Sequence, residues 1–172
     1  MSTAPDRFVL DANAFIQAKR RFYGLDFCPG YWGTLIWHYQ QGRICSIDKI
    51  RDEIMRGGDD LAQWVDQHFG AAAFADTGTT AVADAYTQML AWVMAQTHFL
   101  DSARTEYQQV ADGWLAAYGK ASGCIVVTLE EYDPLRRNRV PLVNVCRAFG
   151  VETITPFEML RKLGVKLDWK AP

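Results

Sequence analysis

Short apolar runs alternate with amphipathic segments along most of the chain. The runs at 7–10, 43–46, 125–129 and 151–154 have the length and composition of buried strands, and helical periodicity follows each of them. Residues 71–76 are also apolar, but their periodicity fits a short strand and an apolar loop equally well. Buried strands separated by helices indicate a parallel sheet that is covered on both faces. The pattern therefore predicts an α/β fold.

The helical segments have apolar residues three and four positions apart and recognisable end signals. Gly42 and Gly57 follow two of them, and Pro141 and Pro156 suit the first turns of two others. A break is expected near Asp112. The predicted helices cover Asp11 or Asn13 to about Arg21, 31–41, 47–55, 59–69, 79–97, 102–119, 141–149 and 156–163, with loops over 22–33 and 130–140.

The composition is that of one globular domain. Of the 172 residues, 49% are hydrophobic and 13% aromatic, which is enough for a substantial core and excludes a disordered chain. The net charge of −2 excludes a basic footprint over the whole chain, although basic residues cluster at 19–21 and 136–139. We expect a single domain over 1–172.

The cysteines and the apolar runs indicate a cytoplasmic protein with reduced thiols. The four cysteines are scattered, without a CxxC pair or a histidine at ligand spacing, so a zinc site is not expected. Neither a signal peptide nor an apolar run of membrane-spanning length is evident, so no membrane association is expected. Cys124 and Cys146 lie in apolar runs and are predicted to be buried.

Four acidic residues occupy positions where a site could form. Asp11 ends the first predicted strand, Glu53 lies on the 47–55 helix, Asp112 begins or interrupts a helix, and Glu130 follows the 125–129 strand. Clustered carboxylates raise one another's pKa, and a divalent cation removes that conflict. Oxygen ligands without histidine or cysteine select Mg²⁺ or Mn²⁺. The four acids together predict a metal site for phosphoryl chemistry.

Each acid also has a simpler interpretation. Asp11 and Asp112 could be helix N-caps, Glu53 a solvated helix residue, and Glu130 part of an acidic loop. The constellation therefore carries the prediction, and no single member does. Asn13 and Thr128 lie two residues from candidate ligands and could hold a water or orient a carboxylate.

The order of these segments resembles the PIN domain family. The matching segments are Asp11-Ala12-Asn13 after the first strand, Glu53 on a helix after the second, Asp112-Gly113-Trp114-Leu115-Ala116-Ala117, and Thr128-Leu129-Glu130 after a late strand. The resemblance spans about residues 7 to 155. It implies a three-layer α/β/α fold with a short, mostly parallel central sheet and, over about 57–100, a helical insertion.

Two departures from the family pattern bear on the site. Glu130 stands where the family usually has aspartate, and Glu131 or Asp133 could be the fourth acid instead. The segment between Glu53 and Asp112 is longer than in minimal members of the family. Core packing is the simplest role for most of its aromatic residues.

The resemblance implies a Mg²⁺- or Mn²⁺-dependent endoribonuclease acting as the toxin of a bacterial toxin–antitoxin pair. The chain is most similar to an uncharacterised PIN-like branch, in which a basic, proline-containing segment (Arg136 to Cys146 here) follows Val-Thr-x-Glu. That branch implies an antitoxin that pairs a helix-turn-helix with a peptidase-like domain. RNA is the expected substrate and a homodimer a candidate assembly. The candidate phosphate contacts are Lys19, Lys49, Arg136, Arg137 and Arg139.

Two alternatives stay open. The first is a PIN-like module with a degraded site that binds RNA or a protein, which the acidic net charge and Glu130 favour. The second is another α/β phosphotransfer domain. A phosphatase-like fold would have Asp-x-Asp where this chain has Asp11-Ala12-Asn13, and a receiver would have an acidic pair that the first loop lacks.

Overall fold

A single five-stranded parallel sheet forms the centre of the molecule. The computed structural model describes residues 5–169, so residues 1–4 and 170–172 of the predicted domain lie outside the described residues. The strand order is β3-β2-β1-β4-β5, and all four pairings are parallel. The strands are β1 (Phe8–Leu10), β2 (Ile44–Ile47), β3 (Phe74–Ala75), β4 (Ile125–Val127) and β5 (Thr153–Ile154).

Helices connect the strands and flank the sheet. Among residues 5–169, none of them combines the length and the apolar character needed to cross a membrane. Two π-helical turns, Ala18–Phe22 and Val65–Phe69, extend the first and fourth helices. The helices are α1 (Ala12–Gln17), α2 (Pro29–Gln40), α3 (Asp48–Gly57), α4 (Asp60–Trp64), α5 (Thr80–Ala95), α6 (Asp101–Tyr107), α7 (Asp112–Ser122), α8 (Leu142–Ala148) and α9 (Pro156–Lys162).

The helices form two layers, as the predicted three-layer α/β/α fold requires. Helix α3 packs against α1 and α4, whereas α7 packs against α5 and α8. The chain moves across the sheet in one direction from β1 through β2 to β3, and in the opposite direction from β3 through β4 to β5. Crossover connections between parallel strands are right-handed. The two helical groups therefore lie on opposite faces of the sheet.

The central strands are buried on both faces, which explains their continuous apolar sequence. All three residues of β1 and all three of β4 are buried. One hydrophobic core includes both strands and extends into the helices on either side. Cys124 and Cys146 are buried in it, as predicted. The aromatic Trp64 and Trp92 pack against this core.

Three elements differ in extent from the prediction. Helix α2 begins at Pro29 rather than at residue 31, because a proline suits the first helical turn. The predicted 102–119 helix is divided into α6 and α7 by residues 108–111. The ambiguous segment 71–76 forms a 3₁₀ turn, Ala71–Ala73, and then β3. The segment over 57–100 is thus mainly helical and also supplies the edge strand of the sheet.

Gly119 allows α7 to pack closely on the sheet, and this yields a stability prediction. A Cβ atom there would lie 2.8 Å from Val126 Cγ2 and 3.1 Å from Val151 Cγ1. We expect Gly119→Ala to lower the free energy of unfolding by about 1–3 kcal/mol through overpacking. The matched control is Gly33→Ala on α2, where the added Cβ meets no atom within 4 Å and should stabilise by about 0.5–1 kcal/mol.

Chemical denaturation of the two variants and the wild type measures both effects. If Gly119→Ala were as stable as Gly33→Ala, the close packing of α7 on β4 would be contradicted.

Candidate active site

The candidate site lies where the chain reverses its direction through the sheet. From β1 the chain proceeds to β2 on one side, and from β4 it proceeds to β5 on the other, while β1 and β4 are themselves neighbours. Open α/β sheets bind ligands in the crevice at the carboxyl ends of strands at such a switch point. Asp11 directly follows β1 and Thr128 directly follows β4. Both therefore lie at the edge of this crevice.

Asp11 is not a helix cap in the usual sense. It occupies the N-cap position of α1, but its side chain makes no capping hydrogen bond. Instead, its Oδ2 accepts a hydrogen bond of 2.8 Å from the Thr128 hydroxyl, and the residue is only 4% exposed. The Thr128 hydroxyl in turn accepts a 3.1 Å hydrogen bond from the Glu130 amide. Thr128 thus orients the Asp11 carboxylate and links it to the loop after β4.

Four of the predicted catalytic residues and one predicted phosphate contact, Arg139, line one cavity of about 220 Å³, which we call the acid cavity. Asp11 and Asn13 reach it from the β1–α1 junction, Glu53 from α3, and Asp112 from the first turn of α7. Asp112 is not the N-cap of α7, because Ala111 occupies that position. The full lining is Asp11, Ala12, Asn13, Ile16, Gln17, Glu53, Asp112 and Arg139.

Glu130 lies beside the acid cavity rather than in its lining. One carboxylate oxygen accepts a 2.9 Å hydrogen bond from the Leu142 amide at the start of α8, and the other lies 2.6 Å from Arg139. Of the alternatives, Glu131 is exposed, and Asp133 pairs with Arg136 at 3.2 Å. Glu130 is therefore the acid of this loop that pairs with the same guanidinium, that of Arg139, as Asp112 does.

The Arg139 guanidinium bridges two of the four acids. One of its terminal nitrogens is 2.9 Å from Asp112 Oδ2 and 2.6 Å from Glu130 Oε1. Arg139 lines the acid cavity and also two adjoining pockets, one of about 490 Å³ and one of about 310 Å³. Half of its side chain is exposed. It supplies positive charge at the point where the three cavities meet.

The acids raise one another's pKa. Burial, and then the charge of Asp112, raise the pKa of Asp11 from 3.8 to about 8, although the Thr128 hydrogen bond opposes the shift. Desolvation and Asp112 also raise the pKa of Glu53 and of Glu130. Burial raises the pKa of Asp112, and the Arg139 hydrogen bond counters this. A bound cation would therefore stabilise the ionised form of these acids.

The donor set matches a hard divalent cation. Asn13 Oδ1 and Gln17 Oε1 are buried and have no hydrogen-bond partner among the described residues, and both side chains line the acid cavity. Carboxylate and amide oxygens are the ligands that Mg²⁺ and Mn²⁺ prefer. Within residues 5–169, however, no three His, Cys, Asp or Glu side chains converge closely enough to hold an ion. Arg139 instead pairs with two of the acids.

The candidate phosphate contacts divide into two groups. Arg139 and Lys49 line the cavities beside the acids. The other three have other partners: Lys19 pairs with Asp59 and Asp60, Arg136 with Asp133, and Arg137 donates to the His98 carbonyl oxygen at 3.3 Å. Of these three, Arg136 also lines the 310 Å³ pocket, beside Glu130.

The structure adds site residues that sequence reasoning missed. Gln17 follows Asn13 by one helical turn and lines the acid cavity. Arg56 follows Glu53 by three positions and lines the adjoining 490 Å³ pocket, together with Trp114. The spacing of Asn13 with Gln17, and of Glu53 with Arg56, would have placed each pair on one helix face.

The raised pKa of Asp11 predicts that stability depends on pH. Between about pH 4 and pH 8 the unfolded chain has lost this proton and the folded chain keeps it, so the free energy of unfolding falls as the pH rises. At about 1.4 kcal/mol per pKa unit, the loss is on the order of a few kcal/mol. Asp11→Asn removes this term and should be more stable than the wild type at pH 8, with a smaller difference at pH 4.

Urea unfolding in EDTA at pH 4, 6 and 8 measures this effect. The control is Asp84→Asn, which changes an exposed aspartate on α5 and should follow the wild-type pH dependence. A wild-type pH dependence in Asp11→Asn would contradict the prediction.

The fold is similar to two solved structures. VapBC2 from Rickettsia felis, bound to a DNA fragment from their promoter, has a TM-score of 0.53 and 11% identity, covering 86% of this chain and 97% of that chain. FitAcB from Neisseria gonorrhoeae has a TM-score of 0.52 and 18% identity, covering 87% of this chain and 98% of that chain. At these identities the likeness concerns the fold, and the predicted PIN-like α/β/α architecture is confirmed.

Sequence comparison identifies the family. No curated protein shows significant sequence similarity to the chain. A family model matches residues 8–167, a range that includes β1, the acid cavity and α9. The chain therefore belongs to the family described as Domain of unknown function (DUF4411).

Proposed function

We propose that this protein is a divalent-metal-dependent endoribonuclease. The observation that supports this most is the acid cavity: Asp11, Glu53 and Asp112 line it together, at the switch point of the sheet, with two buried amide oxygens that have no partner among the described residues. With its three carboxylates ionised, the lining would carry three negative charges against the single positive charge of Arg139. A site of this kind suits phosphodiester hydrolysis, because phosphoryl transfer requires concentrated positive charge held by carboxylates.

In this proposal Asp11, Glu53 and Asp112 hold Mg²⁺ or Mn²⁺, and Glu130 is the fourth acid. When bound, the ion lowers the pKa of an attacking water and stabilises the leaving oxygen. Thr128 fixes the Asp11 carboxylate through its 2.8 Å hydrogen bond. Asn13 offers its free carbonyl oxygen to an ion or a water in the same cavity.

Arg139 and Lys49 are the proposed phosphate contacts. Both line the pocket that adjoins the acid cavity, together with Glu53 and Asp112, so a phosphodiester in that pocket would lie beside the cations and two of the acids. Lys19, Arg136 and Arg137, whose charged groups are engaged with other residues, would act only at the periphery. The positive charge needed for an RNA backbone is thus local, in a chain whose net charge is −2.

We further propose that the protein is the toxin of a toxin–antitoxin pair. The two solved structures compared above, VapBC2 and FitAcB, are toxin–antitoxin complexes of PIN-domain toxins. The partner would be a protein antitoxin, and the PIN-like branch that the sequence resembles suggests one with a helix-turn-helix and a peptidase-like domain. A homodimer stays a prediction.

One observation favours the alternative of a degraded, binding-only module. Arg139 already pairs with Asp112 and Glu130, and no three acidic, histidine or cysteine side chains of the described residues converge on one point. A site neutralised in this way could keep RNA binding without hydrolysis. Metal binding and RNA cleavage distinguish the two functions, as the next experiments specify.

Asp11→Asn and Asp112→Asn should each lower Mn²⁺-dependent RNA cleavage by at least 100-fold. Both changes remove a charged ligand while keeping the size of the side chain, so the fold is retained. Cleavage of a labelled RNA by purified protein measures the rate, and growth after induced expression shows whether the loss also relieves toxicity. Asp84→Asn, which is remote from the cavity, should cleave at the wild-type rate. Full activity in Asp11→Asn would refute the proposed site.

Arg139→Gln should strengthen Mn²⁺ binding several-fold while slowing cleavage. The guanidinium competes with an ion for Asp112 and Glu130, so its removal makes these oxygens available, but it also removes a phosphate contact. Isothermal titration with Mn²⁺ measures the affinity without reference to activity. The control is Arg137→Gln in the same loop, whose guanidinium binds the His98 carbonyl oxygen.

Equal affinities in Arg139→Gln and the wild type would contradict the competition. No binding in either protein would support the degraded module.

A further inference from the structure

A second cavity adjoins the acid cavity and is larger than it. It measures about 490 Å³, lies between α3 and the start of α7, and shares Glu53, Asp112 and Arg139 with the acid cavity. We call it the α3–α7 pocket. Its volume is within the range of about 300–1,000 Å³ that is typical of ligand sites. A molecule bound here would lie directly beside the carboxylates.

The α3 wall of the pocket carries two cations on either side of an acid. Lys49, Glu53 and Arg56 are spaced by four and three residues, which places them on one face of the helix. Both basic residues are exposed. Lys49 Nζ makes only a long ion pair, 3.9 Å, with the Asp48 carboxylate, and Arg56 has no ion-pair partner among the residues that the structure describes. The two positive charges are therefore available to an anionic ligand, about two turns apart along the helix.

The opposite wall carries an aromatic platform. The rings of Trp114 and Tyr86 stack with centroids 3.9 Å apart and planes 4° apart, so Tyr86 covers one face of the indole. Lys49 Nζ lies over the ring, 5.9 Å from its centroid, in the pocket. Since Lys49 is exposed, its ammonium group can rotate toward a phosphate when a flat ligand occupies that face of Trp114.

Gly113 allows this platform to form. A Cβ atom at position 113 would lie 2.8 Å from a ring carbon of Tyr86 and 3.0 Å from Tyr107. Any larger residue would therefore displace Tyr86 from Trp114. The glycine keeps Trp114 rigidly backed, and a rigid indole binds a stacked ring with little loss of side-chain entropy.

The turn between α6 and α7 adds hydrogen-bonding groups to the pocket. Gln108 and Gln109 lie in this turn, line the pocket and are exposed. Their amide groups can donate and accept hydrogen bonds at the edge of a base. The pocket thus combines cations, a π-face and amides, all beside the acids.

We propose that the α3–α7 pocket binds a nucleotide of single-stranded RNA next to the bond that is cleaved. The base stacks on Trp114, Lys49 and Arg56 contact the backbone phosphates, and Arg139 lies between this nucleotide and the acids. The proposal rests on the proposed nuclease function and deepens it by assigning a base-binding subsite beside the acids. Single strands expose base faces to aromatic side chains, whereas the bases of an A-form duplex are stacked on each other.

Binding of labelled RNA to the Asp11→Asn protein tests the proposal without cleavage. Fluorescence polarisation would compare a short single-stranded RNA with a hairpin of the same composition, in the Asp11→Asn protein and with Trp114→Ala, Trp114→Phe or Arg56→Gln added. Trp37→Ala is the control, because this exposed tryptophan lies on α2, outside the pocket. Thermal unfolding of each variant verifies that it is folded.

We expect the single strand to bind at least tenfold more tightly than the hairpin. Trp114→Ala should weaken binding of the single strand about tenfold or more, since stacking contributes about 1–3 kcal/mol per base. Trp114→Phe should retain most of the affinity and Trp37→Ala all of it. Arg56→Gln should weaken binding of every RNA and lower the salt dependence by about one charge.

Unchanged affinity in Trp114→Ala, or equal affinity for the hairpin, would refute the pocket even if the wild type cleaves RNA. A Trp114-dependent preference for the single strand, with no cleavage by the wild type, would support the pocket and refute the proposed nuclease function. Absence of any RNA binding would refute both.

Discussion

The structure depends on the concentration of four carboxylates at one end of a buried sheet. Such charges repel one another, and burial away from water makes each one more costly. The raised pKa of Asp11 reduces its charge near neutral pH. Three contacts stabilise the carboxylates: the Thr128 hydroxyl, an amide from the first turn of α8 and the Arg139 guanidinium. The hydroxyl and the guanidinium come from the loop after β4, and the amide comes from α8. The arrangement of the elements around the switch point is therefore linked to the charge of the site.

The loop after β4 is the element that most directly links fold and chemistry. Its first residue, Thr128, donates a hydrogen bond to Asp11, and Arg139 in its last part forms ion pairs with the acids. Between them, Asn144 of α8 holds Asp133 by two hydrogen bonds, of 3.0 and 2.7 Å, and Arg137 donates to the His98 carbonyl oxygen. The loop is thus fixed at several points, so Arg139 reaches the acids from a defined position.

The sequence alone predicted the α/β sheet and its parallel strands, and it named Asp11, Asn13, Glu53 and Asp112, which line one cavity. It also placed Glu130 with these acids, and Glu130 lies beside that cavity. These predictions depend on local patterns and on the rule that strand ends meet at one edge of a sheet. It left β3 undecided between a strand and an apolar loop, because two residues are too few for periodicity to distinguish the two. It also did not predict the bridge by Arg139, which lies 27 residues from Asp112 in the sequence. No local pattern identifies which of several loop arginines will reach a given acid.

The stack of Tyr86 on Trp114 has a consequence for how this family can change over evolutionary time. Positions 86, 113 and 114 lie on two helices, but their side chains share one volume that a single methyl group would overfill. A relative with alanine or a larger residue at 113 would need a smaller residue than tyrosine at 86 to keep the helices together. Substitutions at the three positions should therefore be correlated among relatives. Relatives without this glycine should also lack the stack of an aromatic ring at 86 on the indole at 114.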